Sequence, residues 1–326
     1  MRTSVGAFVA EDWVKVAIIA TITAVDAVWV AKAGYRFDWS DLANLAVLLA
    51  LLLLVAELYR RWRPNPKFVI MTRETAWLVA FTACAALLSN LATTRNFPLV
   101  DPALAAAGHF VGFSWIGWYN FVTTRPLLSA TFSAVYTICL PQVAFAVVAL
   151  SLLDRLDRAR ELVLAAMIGC LVAIAISTVF PSAGALAYFH HDLASINMPT
   201  VVNLDYKQAF FDLRAGRITD FSLNGLKGLI AFPSYHATLG VLAVFAFRGI
   251  HRFFWPMAAL NLVMLAATPV EGGHYSVDVI GGVVVAAASL ALASAVRRML
   301  AAAASRDWTP AMAPVREDGP LIADMD

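Results

Sequence analysis

The chain has 326 residues, of which 61% are hydrophobic and only 14% are charged, whereas about 25% of residues are charged in an ordinary soluble domain. This composition excludes a soluble monomer and favours a protein that crosses a membrane several times. Lysine and arginine total 24 against 22 for aspartate and glutamate, so no global field of charge predicts a nucleic-acid partner. The partner that the composition does predict is the lipid bilayer.

Eight apolar segments, most of them close to twenty residues long, predict an all-α, polytopic transmembrane helical bundle of about eight spans. In chain order they are residues 14–31, 41–59, 75–93, 127–150, 162–180, 236–254, 256–272 and 275–296. Residues 103–122 are also apolar, but their glycines and their Trp and Tyr side chains predict a helix or loop at the membrane interface. A ninth span or a re-entrant segment is the alternative for these residues.

The three cysteines, Cys84, Cys139 and Cys170, each fall in a different apolar segment and have no paired spacing. This pattern predicts neither a disulfide framework nor a thiolate metal site. We expect all three to be small buried side chains.

Basic residues predict the orientation of the spans. The loop between the second and third spans contains five of them: Arg60, Arg61, Arg63, Lys67 and Arg73. Because short cytoplasmic loops are enriched in lysine and arginine, this loop is expected to be cytoplasmic. Alternation from it places both termini inside and the two longest loops, 94–126 and 181–235, outside. Residues 297–326, with prolines and mixed charge, are expected to form a flexible cytoplasmic tail.

Two short polar segments stand out from this hydrophobic background. The first is FPSYH at residues 232–236, just before the sixth predicted span, and the second is EGGHYSVD at residues 271–278, where the eighth begins. The predicted orientation puts both outside. Ionisable groups at membrane depth are costly and usually face a cavity or one another, so we interpret Asp278 as functional. Alternatively, His236 and His274 cap helices at the interface and Asp278 is a buried hydrogen-bond partner.

The spacing of the second segment is typical of a catalytic pair. His274 and Asp278 are four residues apart, which places them one turn apart on the same face of a helix that begins near Gly273. A carboxylate there can hold one imidazole nitrogen and leave the other free as a nucleophile or base. The glycine before the histidine would let backbone approach a ligand closely. Glu271 is expected to be a loop acid that faces water.

The first segment has the features of a helix start. Pro233 and Ser234 precede His236, and free amide N–H groups at such a start favour an anion such as phosphate. His236 could serve as a general acid for a leaving alkoxide. Two histidines and a carboxylate could instead bind zinc or iron, but no third strong ligand has helical spacing, so we expect no metal and no cofactor. The cluster His190-His191-Asp192 is expected to be loop surface.

PSYH followed by GGHYSVD resembles the two histidine motifs of the type 2 phosphatidic acid phosphatase superfamily, which has Pro-Ser-x-His and then His-x-x-x-Asp on a later transmembrane helix. The HYSVDV form is most similar to the branch with inositol phosphorylceramide synthase and sphingomyelin synthase. FPSAG at 180–184 and GFSW at 112–115 resemble outer loops of bacterial members of that branch. The resemblance implies a phosphatase- or phosphotransferase-like core at 127–296, preceded by N-terminal spans and the interfacial segment at 1–126.

The resemblance also implies a metal-independent mechanism. His274 would attack a phosphoryl group and form a phosphohistidine, Asp278 would orient it, and His236 would protonate the departing oxygen. Ser234 would hold phosphate oxygens together with nearby backbone amides. Gly273 and Tyr275, on either side of the nucleophile, are expected to contact the substrate.

The sequence departs from the family at its phosphate-binding positions. The family's Ser-Arg pair falls on Ala267 and Thr268, so the arginine is missing, and its Lys-x6-Arg-Pro element is absent as well. A phosphoryl transition state still needs positive charge nearby. We expect Lys227, which precedes His236 on the outer side, to supply it. Four other outer basic residues are expected to be solvated loop charges: Lys207, Arg214, Arg217 and Arg125.

These features predict a multi-pass protein of the bacterial inner membrane whose active site faces the periplasm. The expected activity is a lipid phosphatase or an inositolphosphotransferase-like lipid phosphotransferase, with a membrane phospholipid or sphingolipid as substrate. The alternative is a transporter or lipid-binding protein that keeps the helical core without catalysis, and the missing arginine is the feature that leaves this alternative open.

Overall fold

The computed structural model describes residues 2–38, 40–190 and 200–306. Within these residues the chain forms thirteen α-helices, a short 3-10 helix at Leu223–Gly225 and two two-residue strands. The helices are α1 Arg2–Ala33, α2 Ser40–Arg61, α3 Pro66–Thr93, α4 Asp101–Phe110, α5 Trp115–Thr123, α6 Pro126–Thr137, α7 Cys139–Leu152, α8 Leu156–Val179, α9 Ala185–Phe189, α10 Leu204–Arg214, α11 Tyr235–Ala246, α12 His251–Glu271 and α13 Ser276–Arg306. The strands, β1 Arg36–Phe37 and β2 Asp220–Phe221, pair in parallel.

The predicted all-α membrane bundle is confirmed, although the count of about eight spans is approximate. Six helices of the described chain are long and apolar enough to cross a membrane: α1, from Ala10 onward, α2, α3, α8, α12 and α13. The bent pair α6 and α7 is a seventh candidate. The remaining apolar helix, α11, has only 12 residues, about 18 Å of helix, which is shorter than a hydrocarbon core of about 30 Å.

Two departures from the predicted spans have local causes. The predicted segment 236–254 does not form one helix, because α11 ends at Ala246 and Gly249 adopts a left-handed backbone, with a φ of 71°, before α12 begins. The predicted segment 127–150 bends by 50° near Ile138. Pro141 lies just after this bend, and a proline ring has no N–H and clashes with the carbonyl one turn before it, which explains the break.

Helix α8 lies in the middle of the bundle and packs against α3, α7, α11 and α13. Small side chains along α8, such as Ala165, Ala166 and Ala173, are completely buried and let neighbouring helices approach closely. Helix α2, in contrast, packs mainly on α3 and leaves leucine and valine side chains exposed. An exposed apolar helix face of this kind suits contact with lipid.

One end of the bundle holds a buried network of ion pairs, which we call the network end. Lys15 of α1 contacts Glu74 of α3 at 2.6 Å. Arg160 of α8 contacts Glu11 at 3.3 Å and Asp12 at 3.0 Å. Arg73 of α3 and Arg297 of α13 complete the network through Asp12 and Glu11. Four helix ends predicted to share one side of the membrane therefore meet here.

The opposite end, which we call the site end, is built from the starts of α11 and α13 and from the two longest loops. Residues 103–122 fall in two short helices, α4 and α5, of 10 and 9 residues. The indole N–H groups of Trp115 and Trp118 donate to the carbonyl oxygens of Pro269 and Ala266, so α5 is fixed to the last turns of α12. Helix α13 continues to Arg306, and residues 307–326 of the predicted tail lie outside the described residues.

Candidate functional site

The two polar motifs meet at the starts of α11 and α13. Ser234 caps α11, where its hydroxyl accepts from the Ala237 amide, and the Ser234 amide donates to the carbonyl oxygen of Asp278 at 3.0 Å. Gly282 permits this approach, because a Cβ added there would lie 2.3 Å from the Ser234 carbonyl oxygen. The Thr238 hydroxyl donates to the Gly282 carbonyl oxygen at 2.9 Å. The two motifs, distant in sequence, are therefore held together through backbone contacts.

The predicted His–Asp pair forms with the expected geometry. Nδ1 of His274 lies 3.3 Å from Oδ2 of Asp278, and the same carboxylate oxygen accepts from the Tyr275 amide at 2.8 Å. Asp278 is fully buried and its Oδ1 has no hydrogen-bond partner in the described chain. The carboxylate thus fixes one ring nitrogen of His274 and directs the other away from α13.

The second nitrogen of His274 faces the other motif. Nε2 lies 3.4 Å from the Ser234 hydroxyl oxygen, and His274 as a whole is only 3% exposed. Burial, with a smaller contribution from the Lys207 ammonium, lowers the pKa of His274 to about 3. The imidazole is therefore neutral at pH 7, which is the form with a free lone pair for nucleophilic attack.

His236 lies on the first turn of α11 beside the aromatic side chain of Tyr136. The two rings stack with centroids 4.6 Å apart and an interplanar angle of 21°. The electrostatic influence of His274 reaches His236, so the two imidazoles share one site. Gly272 is packed between these groups, because a Cβ added there would lie 2.4 Å from the Tyr136 hydroxyl and 2.5 Å from Cδ2 of His274. Tyr136 thus lies against both histidines.

Asp101, at the start of α4, organises the loops around the nucleophile. Its carboxylate accepts from the Ser182 hydroxyl at 2.9 Å, from the Ala183 and Gly184 amides at 3.0 Å each, and from the Tyr275 hydroxyl at 3.0 Å. Tyr275 is buried, and its hydroxyl points to this carboxylate. Asp101 therefore links α4, the loop at 182–184 and the residue after the nucleophile.

Two glycine turns pack against each other beside His274. Gly184 and Gly273 both have left-handed backbones, with φ values of 89° and 62°, and the Ala185 amide donates to the Gly273 carbonyl oxygen at 2.7 Å. A Cβ added at Gly184 would lie 2.7 Å from that oxygen and 2.8 Å from Nζ of Lys207. Glycine is needed at both positions, and Lys207 reaches the same place from α10.

The outer basic residues differ in their surroundings. Lys207 is only 7% exposed, and it affects the pKa of His274. Lys227, the cation favoured by the sequence, is half-buried with Nζ 5.6 Å from the Tyr206 ring centroid. Arg217 pairs with Asp212. The last two, Arg214 and Arg125, donate to the carbonyl oxygens of Phe97 and Phe121.

Glu271 does not face water as expected, because the structure buries it completely. Its Oε2 accepts from the Ser133 hydroxyl at 2.8 Å and from the Val201 amide at 3.1 Å. The other oxygen, Oε1, is buried with no hydrogen-bond partner in the described chain. The acid therefore fastens the end of α12 to α6 and to the segment that leads into α10.

No group of three or more His, Cys, Asp or Glu side chains with metal-binding geometry occurs in the part of the chain that the structure describes. Cys139 and Cys170 are buried and Cys84 is half-buried, all as free thiols. In the cluster His190-His191-Asp192, His190 follows α9, whereas the other two residues lie outside the described residues.

The fold and the site define an integral membrane protein with a buried His–Asp pair of the kind used in nucleophilic or acid–base catalysis. The family model of the PAP2 superfamily matches residues 102–292, which is more than half of the chain, so the protein belongs to that superfamily. Its members are phosphatases and phosphotransferases, and the chain is an enzyme of this general class. Neither a curated protein nor a solved structure matches the chain significantly.

Some residues of the site were not recognised from the sequence. The matched region begins at residue 102 and so includes α5 and nearly all of α4, which were expected to belong with the N-terminal spans. Asp101 and Tyr136 were not recognised, because each lies in an apolar segment with no spacing signal to a histidine. The one available signal for Asp101 was an aspartate followed by proline at a helix start, and that pattern occurs in many structural caps.

Proposed function

We propose that this enzyme removes or transfers phosphoryl groups of a membrane lipid through a phosphohistidine at His274. The observation that carries the proposal is the orientation of His274, whose Nδ1 is held by Asp278 while Nε2 faces the cap of α11. A neutral, fixed imidazole with one free nitrogen is an activated nucleophile. His236 lies on the other motif, where a proton donor to the leaving group is needed.

The reaction has two steps. In the first, Nε2 of His274 attacks phosphorus, a P–N bond forms, the P–O bond to the leaving group breaks, and His236, which enters this step as the imidazolium, donates its proton to the departing oxygen and becomes neutral. In the second, water or a lipid hydroxyl gives its proton to His236 and attacks phosphorus, and the P–N bond breaks. Water gives a phosphatase, whereas a lipid hydroxyl gives a phosphotransferase of the kind represented by the inositol phosphorylceramide and sphingomyelin synthases.

Ser234 and Gly273 are proposed to lie against the phosphate oxygens. Ser234 is 3.4 Å from Nε2 of His274, and the left-handed Gly273 lets backbone approach closely. Tyr275 is proposed to act from behind, through Asp101, by fixing the loop that carries the nucleophile. The site lies at one end of a bundle of membrane helices, which is the depth of a lipid headgroup, and the basic residues favour the periplasmic side for it.

The test is an assay of the purified full-length chain in detergent. Phosphate release from phosphatidic acid and headgroup transfer from phosphatidylinositol to ceramide or diacylglycerol are measured side by side, with and without added zinc. We expect at least one activity without metal and its loss in His236→Ala. A folded protein with neither activity would favour the transporter or lipid-binding alternative. Complete dependence on zinc would replace the metal-independent mechanism.

A further inference from the structure

The site end needs a cation that the family motif does not supply. Ala267 and Thr268 occupy the positions of the missing serine and arginine, and both are completely buried in α12. Around His274 the structure places the carboxylates of Asp101 and Asp278. A phosphate ester brought to this site would meet repulsion unless a positive charge lies on the same side.

Lys207 lies where this positive charge is needed. It lies in α10, a helix capped by Asn203, whose side chain accepts from the Tyr206 amide. Its Nζ lies against the turn at Gly184 and near the carbonyl oxygen of Gly273, the residue before the nucleophile. Asp101 and Asp278 both act on its charge. The ammonium is therefore within electrostatic reach of each group that surrounds His274.

The ammonium of Lys207 has no hydrogen bond or ion pair within the described residues, although the side chain is only 7% exposed. Asp101 does not neutralise it by contact, since no ion pair joins the two in the described chain, and its carboxylate instead accepts from Ser182, Ala183, Gly184 and Tyr275. Burying an ammonium without a partner costs free energy, so buried ammonium groups are usually paired with an anion. A bound anion would provide the partner.

The rival cations are less well placed. Tyr206 lies between the two lysines, with its ring centroid 5.9 Å from Nζ of Lys207 and 5.6 Å from Nζ of Lys227. Of the two, Lys207 is the one with a resolved effect on His274 and Asp278. Arg217 pairs with Asp212. Arg214 donates to the Phe97 carbonyl oxygen and has a buried Nη1 without a hydrogen bond in the described chain, but its charge acts on Asp101 and not on His274 or Asp278. Lys207 is thus the cation that the structure brings to the nucleophile.

We propose that the Lys207 ammonium, held beside the Gly184 and Gly273 turns, binds a nonbridging oxygen of the phosphate ester that His274 attacks, and that this single cation selects a singly charged phosphodiester. The inference rests on the proposed function. One ammonium between two carboxylates balances one negative charge better than the two of a phosphate monoester near pH 7. The favoured donor is then a phospholipid with a headgroup, and the headgroup phosphate would pass through His274 to the acceptor hydroxyl.

A pH dependence separates an ionic role of Lys207 from a structural one. Burial lowers the pKa of Lys207 to about 8, against the opposing influence of Asp101 and Asp278. The ammonium therefore loses its proton as the pH rises through about 8, and kcat/KM is expected to fall over that range. Arginine stays protonated throughout this range, so Lys207→Arg should move the fall to higher pH.

The experiment uses the purified full-length chain and the variants Lys207→Met and Lys207→Arg. The matched control is Lys67→Met, at the network end, which removes a half-exposed lysine that pairs with Asp154. Three quantities are measured: kcat/KM with phosphatidylglycerol and with phosphatidic acid, the inhibition constant of inorganic phosphate, and the pH profile.

For Lys207→Met we expect kcat/KM to fall by roughly 10²- to 10³-fold and phosphate inhibition to weaken by about tenfold or more. Lys207→Arg should recover part of the activity and shift the basic limb, which keeps the proposal testable if the methionine variant does not fold. The assignment would be overturned by any of three results. These are an unchanged inhibition constant of phosphate in Lys207→Met, an unshifted basic limb of the pH profile in Lys207→Arg, or a larger loss of kcat/KM in Lys227→Met than in Lys207→Met. A higher kcat/KM with phosphatidic acid than with phosphatidylglycerol would contradict the proposed selection of a phosphodiester. Failure of the proposed function is distinguishable, because it would leave His274→Ala as active as the unchanged chain or leave the unchanged chain itself inactive.

Discussion

The two ends of the bundle bury polar groups in opposite ways. At the network end, Lys15 and Arg160 lie within ion-pair distance of Glu11, Asp12 and Glu74. Both cations are almost completely buried, and each contacts at least two carboxylates. Oxygens of Glu11 and Glu74 that lack a hydrogen bond lie 3.2 and 3.5 Å from the side-chain nitrogens of Lys15 and Arg160. At the site end, Lys207 has no ion pair in the described chain, and buried oxygens of Asp278 and Glu271 have neither a hydrogen bond nor an ion pair there.

This difference separates structure from chemistry. A buried charge that is removed from water must be compensated by partners, and a network that compensates all of its members fixes how helices pack. Groups that stay uncompensated are retained where a ligand completes them. The network end therefore stabilises the arrangement of α1, α3, α8 and α13, and the site end has the unpaired groups that a phosphate ester can use.

The largest effect expected is on activity, from His274→Ala. Removal of the nucleophile should lower kcat by at least about 10³-fold, because no other described residue at the site end has a histidine nitrogen beside the Ser234 hydroxyl. The control is His190→Ala, which removes a histidine whose Nδ1 contacts the Ala187 carbonyl oxygen. Undiminished turnover in His274→Ala would show that another residue is the nucleophile.

Asp278→Asn tests whether the carboxylate orients the imidazole. The amide keeps the shape but removes the charge and disturbs the ring tautomer, so kcat should fall by about 10²- to 10⁴-fold. Ser276→Ala is the matched control on the first turn of α13, because it removes a buried hydroxyl that has no hydrogen-bond partner in the described chain. Equal activities of the two variants would contradict the orienting role.

Arg160→Met tests the network end. Loss of a partner from a buried ion network should lower the free energy of unfolding by about 3–5 kcal/mol, while kcat per folded molecule stays unchanged. Thermal unfolding in detergent gives the first quantity and titrated active protein the second. Arg36→Met, which breaks an exposed pair with Asp220, should leave the free energy of unfolding nearly unchanged, because an exposed ion pair is screened by water. A lower kcat in folded Arg160→Met would contradict the claim that the network end serves only stability.

The smallest effect expected is that of acidic pH on kcat/KM. Because burial lowers the pKa of His274 to about 3, the imidazole stays neutral as the pH falls from 7.5 to 5, and protonation of the nucleophile should cause no fall in kcat/KM. A nucleophile with the ordinary histidine pKa near 6.5 would lose about 30-fold over this range. If kcat/KM falls by that much while kcat at saturating substrate stays constant, then His274 is exposed to water in the substrate-free enzyme and is buried only when substrate is bound.

The sequence predicted the helical bundle and the meeting of the two motifs well, because both depend on local patterns. Apolar length identified the spans, and a spacing of four residues identified the pair His274 and Asp278. The bend near Ile138 could have been predicted from Pro141. The shortness of α11 was missed although Arg248, Gly249, His251 and Arg252 interrupt the apolar segment, and a glycine among polar residues favours a turn.

The sequence did not predict the surroundings of the nucleophile, because these come from residues without a shared local pattern. Asp101, Gly184 and Lys207 lie in three separate loops or short helices and meet only through tertiary packing. Lys227 was favoured over Lys207 on sequence distance to His236, a criterion that carries no information on how α10 folds back. Glu271 was expected in water because it lies in a predicted loop between two spans, and the sequence does not show that Ser133 and Val201 pack over it.

The most direct test of the central claim is to find the phosphoryl group on the protein. The full-length enzyme is incubated briefly with a lipid substrate labelled at phosphorus, quenched at alkaline pH to preserve a P–N bond, digested, and its peptides are analysed by mass spectrometry. We expect the label on His274, and none on the corresponding peptide of His274→Ala. Turnover without label on His274, or label that stays in the His274→Ala protein, would contradict the mechanism.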